Sequence, residues 1–203
     1  MRSSVVLLVL LVLAVVVSAV VTRAAPPMVM VMVAPPAPEA AVVGELPLPD
    51  GFERVRAGGF GAYLLRLPLL PGGTATPVLS HRGELVKNQW GHVAVVAMPV
   101  LRGQECSDSI LRIRAEYLLG TGASPRDISF ETSNGVARWD GGTLDHYLEG
   151  VFRRAGTLTM AASMRQQSGA IQPGDVLVIG GSPGHAVLVL SVVTNSATGE
   201  RLL

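Results

Sequence analysis

Two short apolar runs near the end of the chain flank a loop of glycine, serine and proline. The runs are Val176–Ile179 and Ala186–Val193, and the loop is Gly180–Gly184. Short runs rich in valine and leucine and bounded by glycine and proline are typical of buried strands. The pattern therefore predicts two strands joined by a tight loop. His185 opens the second strand, so we expect its imidazole at a strand end, held by the sheet and open to a cleft.

An amphipathic helix is predicted from Gln104 to Gly120. Side chains at i, i+4 and i+7 spacing form its inner face, namely Cys106, Ile110, Ile113 and Tyr117. Polar and acidic residues cluster at the start of the segment, where helix caps are favoured, and Gly120 is placed to end it. Cys106 is therefore expected in the first turn, on the face that points into the protein.

The other apolar patterns complete a mixed fold. We expect helices at Phe60–Leu67, Leu144–Ala155 and Gly156–Met164, strands at His92–Met98 and Ile128–Glu131, a hairpin around His81, and a loop at Val136–Gly142 with Trp139 packed over an edge. These elements predict an α+β class in which the helix with Cys106 packs on a small antiparallel sheet. That sheet is expected to contain the strands that begin at His92 and His185.

The first residues have the pattern of a targeting or anchoring segment. Arg2 is followed by the apolar stretch Val5–Val21, and small residues come next. This predicts a signal peptide or an N-terminal membrane anchor over residues 1–24, with a cleaved signal favoured. Residues 25–45 are rich in proline, alanine and valine and are expected to form an extended linker. Residues 46–203 are expected to form one domain outside the cytoplasm.

Composition and spacing argue against several classes of function. The formal net charge of +1 gives no basis for nucleic-acid binding. His146 and Glu149 have the helical spacing of a metal-binding pair but lack a second pair. The loop at Gly180–Gly184 does not open a helix, so no phosphate site is expected there. We therefore expect neither a metal nor another cofactor.

The chemistry that the sequence suggests rests on Cys106 and His185. Cys106 is the single cysteine, so an intramolecular disulfide is impossible. A thiol at a helix N-terminus is stabilised as a thiolate, and a nearby histidine can relay its proton. Gln104 or Gln89 would then be a candidate oxyanion donor. The alternative is structural, with Cys106 as a small buried apolar residue and His185 as a polar strand end.

Two short motifs carry a resemblance to NlpC-type cell-wall peptidases and amidases. The segment from Glu105 to Ile110 is similar to the Asp-Cys-Ser helix start of that family. Pro173-Gly174-Asp175 with the following apolar strand, and Gly184-His185 with the next one, are similar to its later motifs. The resemblance implies a papain-like fold in which Cys106 is the nucleophile and His185 the base.

A resemblance over most of the domain is to the family called domain of unknown function 4846. It rests on Leu48–Phe52, Asn88-Gln89, Cys106–Tyr117, Ala155–Leu158 and Gly174–Val189. That family usually has a longer segment between Trp139 and the helix at Leu144, and it continues after the histidine strand into a further strand. In papain-like sites such a strand supplies the residue that orients the histidine. We therefore expect a truncated or degenerate copy.

Two functions follow as hypotheses. The first is a papain-like thiol hydrolase that cleaves an amide or peptide bond in the cell envelope, with a cell-wall peptide or protein as substrate. The alternative is a catalytically inactive papain-like domain that binds or scaffolds in the envelope. A third and weaker hypothesis is a structural protein anchored near the membrane by its N-terminal segment.

Overall fold

The computed structural model describes residues 40–71, 84 and 94–203, and these residues form an α+β fold. The predicted class is therefore confirmed. In chain order the elements are a 3-10 turn Val43–Glu45, β1 Phe52–Arg54, α1 Gly59–Leu64, α2 Cys106–Gly120, a 3-10 turn Pro125–Asp127, β2 Ser129–Thr132, β3 Gly135–Arg138, α3 Leu144–Phe152, α4 Thr157–Ser163, β4 Val176–Ile179, β5 His185–Leu188, β6 Val193–Asn195 and β7 Arg201–Leu202.

The strands within the described residues form separate small antiparallel sheets. β1 pairs with β6, and β6 pairs with β7. β2 pairs with β3, and β4 pairs with β5. The hairpin predicted at Val176–Ile179 and His185 is confirmed, although its second strand ends at Leu188. Val189–Val192 then leads into β6, and Val189 exchanges backbone hydrogen bonds with Gly174 and Asp175.

Only residues 94–98 of the strand predicted at His92–Met98 lie within the described residues. His92 lies outside the described residues, as do His81 and Gln89. Within 94–98 the structure has one isolated bridge, between Val96 and Leu69, and no continuous strand. The described part of the chain therefore does not contain the predicted sheet with strands at both His92 and His185.

The loop predicted at Val136–Gly142 is wrong for its first half, because Gly135–Arg138 is strand β3. The turn that precedes it is Ser133-Asn134, and Gly135, the first residue of β3, has φ of 94°. An Asn-Gly pair between two strands favours a tight hairpin because both residues tolerate positive φ. Thr132 Oγ1 donates to the carbonyl of Gly135 and closes the turn. Trp139 is buried, as expected, and its indole donates to the carbonyl of Gly142.

Helix α2 is the centre of the fold because it contributes to each of three apolar clusters. Ile113 packs with Val43, Leu64 and Leu67. Ala115 packs with Ile128, Trp139 and Leu148, and Ile110 packs with Met160 and Ala186. A large apolar side chain that is fully buried stabilises a fold by about 1.5–3 kcal/mol. The helix predicted from Gln104 to Gly120 is thus confirmed, with its first helical residue at Cys106.

The packed domain includes residues that were expected to belong to the linker. Val43 is buried, and its backbone N–H donates to the carbonyl of Leu67. Val42 forms a bridge with Pro68. The segment just before residue 46 therefore belongs to the core rather than to an extended connection.

Val5–Val21, the apolar stretch predicted as a signal or anchor, lies outside the described residues. Within 40–71, 84 and 94–203, none of the helices combines the length and the apolar character that crossing a bilayer requires.

Candidate functional site

Helix α2 begins at Cys106, and the first turn is capped by acidic groups. Glu105 is the N-cap residue with an extended backbone. Its backbone N–H donates to Oδ2 of Asp108 at 3.0 Å, and its carbonyl accepts a hydrogen bond from Ser109 Oγ. Carboxylates at this position satisfy helix N–H groups and interact well with the helix dipole. They also compete with any other negative charge at the same helix end, including a thiolate.

Asp108 is the most perturbed carboxyl group near the helix start. It is only 4% exposed. Burial raises the pKa of Asp108 to about 6, the hydrogen bond from the Glu105 backbone lowers it, and the nearby charge of Glu105 raises it further. Burial dominates because a desolvated carboxylate loses its hydration.

The side chain of Cys106 is half-buried and packs into an apolar cluster. Its partners are the cluster of Ile110, Met160 and Ala186, which also receives side chains from β4. This environment is the one expected for a cysteine that acts as a small apolar residue. The structure confirms the prediction that Cys106 points inward from the first turn of the helix.

His185 lies on the other face of strand β5. Neighbouring residues of a strand point to opposite sides of the sheet. Ala186 is buried against the cluster that contains Cys106, whereas His185 is exposed beside Ile179, its cross-strand partner. Leu177 and Val187 are likewise exposed, so the row with His185 faces away from helix α2.

Cys106 packs in the apolar cluster that Ala186 joins, whereas His185 lies on the exposed face of the same strand. Within the described part of the chain, neither Cys106 nor His185 makes a side-chain hydrogen bond, and the alternation along β5 directs His185 to the face opposite Ala186. The proposed pairing of the two residues stays a prediction to be tested in solution.

The other candidate groups near the helix start have other roles or lie elsewhere. Gln104 accepts a hydrogen bond from the Leu101 backbone and donates to Ser109 Oγ, so its amide is used in capping. His146 is exposed on α3. Among residues 40–71, 84 and 94–203, no cluster of histidine, cysteine and carboxylate side chains has the arrangement of a metal site.

The loop Gly180–Gly184 is packed against the start of helix α4. Thr157 Oγ1 donates to the carbonyl of Gly181 at 3.1 Å. A Cβ atom on Gly184 would contact the side chain of Thr157 and lie 2.8 Å from the carbonyl oxygens of Ile179 and Gly181. The loop therefore presents carbonyl groups to α4 rather than a row of N–H groups to an anion.

A cavity that the sequence did not indicate lies on the far side of the same cluster. It has a volume of about 370 Å³ and is bordered by α2, β2, α4 and the start of β4. Ile110 and Met160 form part of its wall, and Arg114 of helix α2 also lines it. A single arginine on the surface of an amphipathic helix resembles any solvated residue in the sequence, so no pattern marked this position.

The chain belongs to the family described as domain of unknown function (4846), which matches residues 42–143 and 138–203. The two matched stretches meet at residues 138–143, where the chain was expected to be shorter than its family. Comparison with curated proteins and with solved structures gave no match. The predicted family is therefore confirmed, and the resemblance to NlpC-type peptidases stays a prediction.

Proposed function

We propose that this chain is a catalytically inactive binding domain of the cell envelope. The observation that carries the proposal is the alternation along β5, which directs Ala186 towards the cluster of Cys106 and His185 to the opposite face. A thiol hydrolase needs a base within hydrogen-bond reach of its nucleophile. Apolar packing around Cys106 supports a structural role for the thiol.

The concave surface of the domain supports binding. A cavity of about 370 Å³ falls within the size range of small-molecule sites, which are mostly apolar and carry a few polar groups. Its wall includes buried apolar residues, with Ile110 and Met160 among them. A domain that keeps such a cavity without a paired nucleophile and base is suited to hold a ligand without transforming it.

The placement in the envelope rests on the N-terminal sequence. Arg2 and the apolar stretch Val5–Val21 have the arrangement of a secretory signal or a membrane anchor. On this proposal the domain works outside the cytoplasm, either released after cleavage or held near the membrane. Its partner would be a cell-wall peptide or an envelope protein.

The experiment that tests the proposal measures alkylation of Cys106 by iodoacetamide in the full folded chain, from about pH 6 to about pH 9. The variants are His185→Ala and, as a matched control, His146→Ala, which removes an exposed imidazole on α3. We expect both variants to label at the same rate as the wild-type chain at every pH, because neither imidazole is hydrogen-bonded to the thiol. Unfolding in urea should accelerate labelling, since the thiol is packed in an apolar cluster.

The second candidate is the papain-like thiol hydrolase, favoured by the position of Cys106 at the first residue of a 15-residue helix. A helix N-terminus stabilises a thiolate. This candidate predicts fast labelling near pH 6 that His185→Ala abolishes and His146→Ala does not. That result would replace the binding proposal.

A further inference from the structure

The cavity beside helix α2 is lined by an arginine side chain that has no acidic partner among the described residues. Arg114 lines the cavity, and it takes part in no ion pair within the described residues. Arg112, two residues earlier on the same helix, is different: it is buried and paired with Glu116 and Asp145. The two arginines point to different sides of α2, and only Arg112 has its charge balanced by the fold.

Two aromatic rings hold the guanidinium of Arg114 in place. Its Cζ atom lies 4.9 Å from the centre of the Phe60 ring and 5.2 Å from that of Tyr117. An arginine stacked on aromatic rings loses little further freedom on binding and keeps its N–H donors. Such a fixed, planar set of donors suits a carboxylate, which it can bind with two parallel hydrogen bonds.

The carboxylate of Glu131, an exposed residue, borders the same cavity from strand β2. Glu131 and Ser129 are two residues apart on β2, so their side chains share one face of the strand. Neither side chain makes a hydrogen bond or ion pair to any other described residue. By contrast, the nearby hydroxyls of Thr159 and Ser163 are bonded to backbone carbonyls of their own helix region.

The apolar part of the cavity lies among these groups. Ile110 and Met160 are almost fully buried in its wall, and Leu111, Met164 and Val176 continue the surface. Methionine adapts its shape to the group that it contacts. A cavity of about 370 Å³ is near the lower end of the range for small-molecule sites, and this volume suits a ligand of roughly the size of a dipeptide.

We propose that this cavity binds a short apolar peptide with free termini, with its carboxylate on Arg114, its ammonium group on Glu131, and its side chains against Ile110 and Met160. The proposal names the ligand class for the binding function and rests on it. A peptide matches both unpaired charges at once. A simple fatty acid would use Arg114 and leave the carboxylate of Glu131 without a partner in the ligand.

Isothermal titration of the full 203-residue chain with leucyl-leucine tests the proposal. Two blocked ligands serve as probes of the termini: the N-acetyl dipeptide lacks the ammonium group, and the dipeptide amide lacks the carboxylate. We expect each blocked ligand to bind roughly tenfold more weakly than the free dipeptide, because each loses one charge-assisted contact. These comparisons use the unchanged protein and do not depend on the folding of a variant.

Variants then assign the contacts. Arg114→Gln and Glu131→Gln should each weaken the free dipeptide roughly tenfold. Glu131→Gln should leave the affinity for the N-acetyl dipeptide unchanged, because that ligand has no ammonium group for Glu131 to bind. Arg114→Gln should leave the affinity for the dipeptide amide unchanged, because that ligand has no carboxylate for Arg114 to bind. Arg126→Gln and Glu149→Gln, which change exposed residues outside the cavity, are the matched controls and should bind as the wild-type chain does.

Two results would overturn the proposal. One is the absence of saturable dipeptide binding up to about 1 mM. The other is binding of decanoate that depends on Arg114 while leucyl-leucine does not bind, which would assign the cavity to an apolar acid. The alkylation of Cys106 is independent of both. If the dipeptide fails to bind, the proposal that the domain is non-catalytic still holds. If the alkylation rate of Cys106 depends on His185, that proposal fails, but the proposed peptide site still holds.

Discussion

The guanidinium of Arg112 lies 2.7 Å from the carboxylate of Asp145 and joins helix α2 to the first turn of α3. Arg112 is 2% exposed and Asp145 is 60% exposed, so the pair spans the boundary between core and solvent. Glu116, one turn further along α2, lies 3.1 Å from the same guanidinium. The charge of Arg112 is thus balanced by groups from two helices.

Asp145→Asn should lower the free energy of unfolding by about 1 kcal/mol, because it leaves the buried cation with one acidic partner instead of two. The effect is limited because solvent reaches Asp145. Arg112→Met should cost no more than about 1 kcal/mol, since an apolar side chain of similar length replaces the buried charge. Urea unfolding measures both values, with Glu149→Gln as the surface control. A loss above about 3 kcal/mol for Arg112→Met would show that the pair itself holds the helices together.

The raised pKa of Asp108 makes stability depend on pH in a defined window. Burial raises the pKa of Asp108 to about 6 in the folded chain from 3.8, its ordinary value. Between these pH values the folded chain keeps the proton and the unfolded chain has lost it. Below about pH 4, Asp108 therefore contributes up to about 3 kcal/mol to the free energy of unfolding. This contribution is lost as the pH rises through about 6.

Asp108→Asn should remove this dependence, because asparagine keeps an oxygen for the Glu105 N–H and does not ionise. The measurement is urea unfolding of the wild-type and variant chains at about pH 4 and about pH 7. We expect the variant to gain stability relative to the wild-type chain at the higher pH. Asp140→Asn, which changes an exposed carboxyl group, should leave the difference between the two pH values unchanged. Parallel curves for Asp108→Asn and the wild-type chain would contradict the prediction.

Tyr147 connects helix α3 to the hairpin β2–β3. Its hydroxyl donates to the carbonyl of Ala137 at 3.0 Å and lies 3.3 Å from that of Ile128. Burial raises the pKa of Tyr147 to about 12, while a backbone hydrogen bond at Phe130 lowers it. Tyr147→Phe should reduce the free energy of unfolding by about 1 kcal/mol, since it leaves the carbonyl of Ala137 without this donor.

The control for that substitution is Tyr63→Phe. The Tyr63 ring packs against Phe60 and Tyr117, and its hydroxyl makes no hydrogen bond within the described residues. We expect a change below about 0.5 kcal/mol for the control by thermal or urea unfolding. Equal losses for the two variants would mean that the Tyr147 hydroxyl contributes nothing beyond ring packing.

Gly184 has no space for a side chain. A Cβ atom there would lie 2.8 Å from the carbonyl oxygens of Ile179 and Gly181, which belong to the backbone and cannot rotate away. Gly184→Ala should therefore lower stability by about 1–3 kcal/mol. Gly120→Ala, at the last residue of α2 with open space around it, should be neutral or stabilising by up to about 1 kcal/mol. Thermal unfolding of the two variants distinguishes them, and equal midpoints would contradict the steric argument.

Local patterns predicted most of the regular elements. The 3.6-residue spacing from Cys106 to Tyr117 identified α2, and the Val- and Leu-rich runs identified β4 and β5, because both signals depend only on near neighbours in the chain. Strand β3 was missed although the pair Asn134-Gly135 is itself a hairpin signal. The loop predicted at Val136–Gly142 overlaps most of this strand.

Properties that depend on distant contacts could not be predicted in this way. The sequence placed Cys106 on an inward face, but the side on which His185 points is set by its register opposite Ile179. The burial of Arg112 depends on Asp145, which is 33 positions away. The helix pattern also does not predict that Arg114 lacks an acidic partner, because an arginine in such a pattern is ordinarily a solvated surface residue.

Strands β4 and β5 are apolar on both faces, with Val178 and Ala186 on one side and Leu177 and Val187 on the other. The apolar pattern of such a strand only weakly specifies which face packs on the core, because a register slip of one residue exchanges one apolar row for the other. Loss or gain of a single residue in the loop Gly180–Gly184 would turn the imidazole of the second strand towards the face that packs on α2. The side on which His185 lies is therefore set by the length of this loop more than by the apolar pattern of the strand itself.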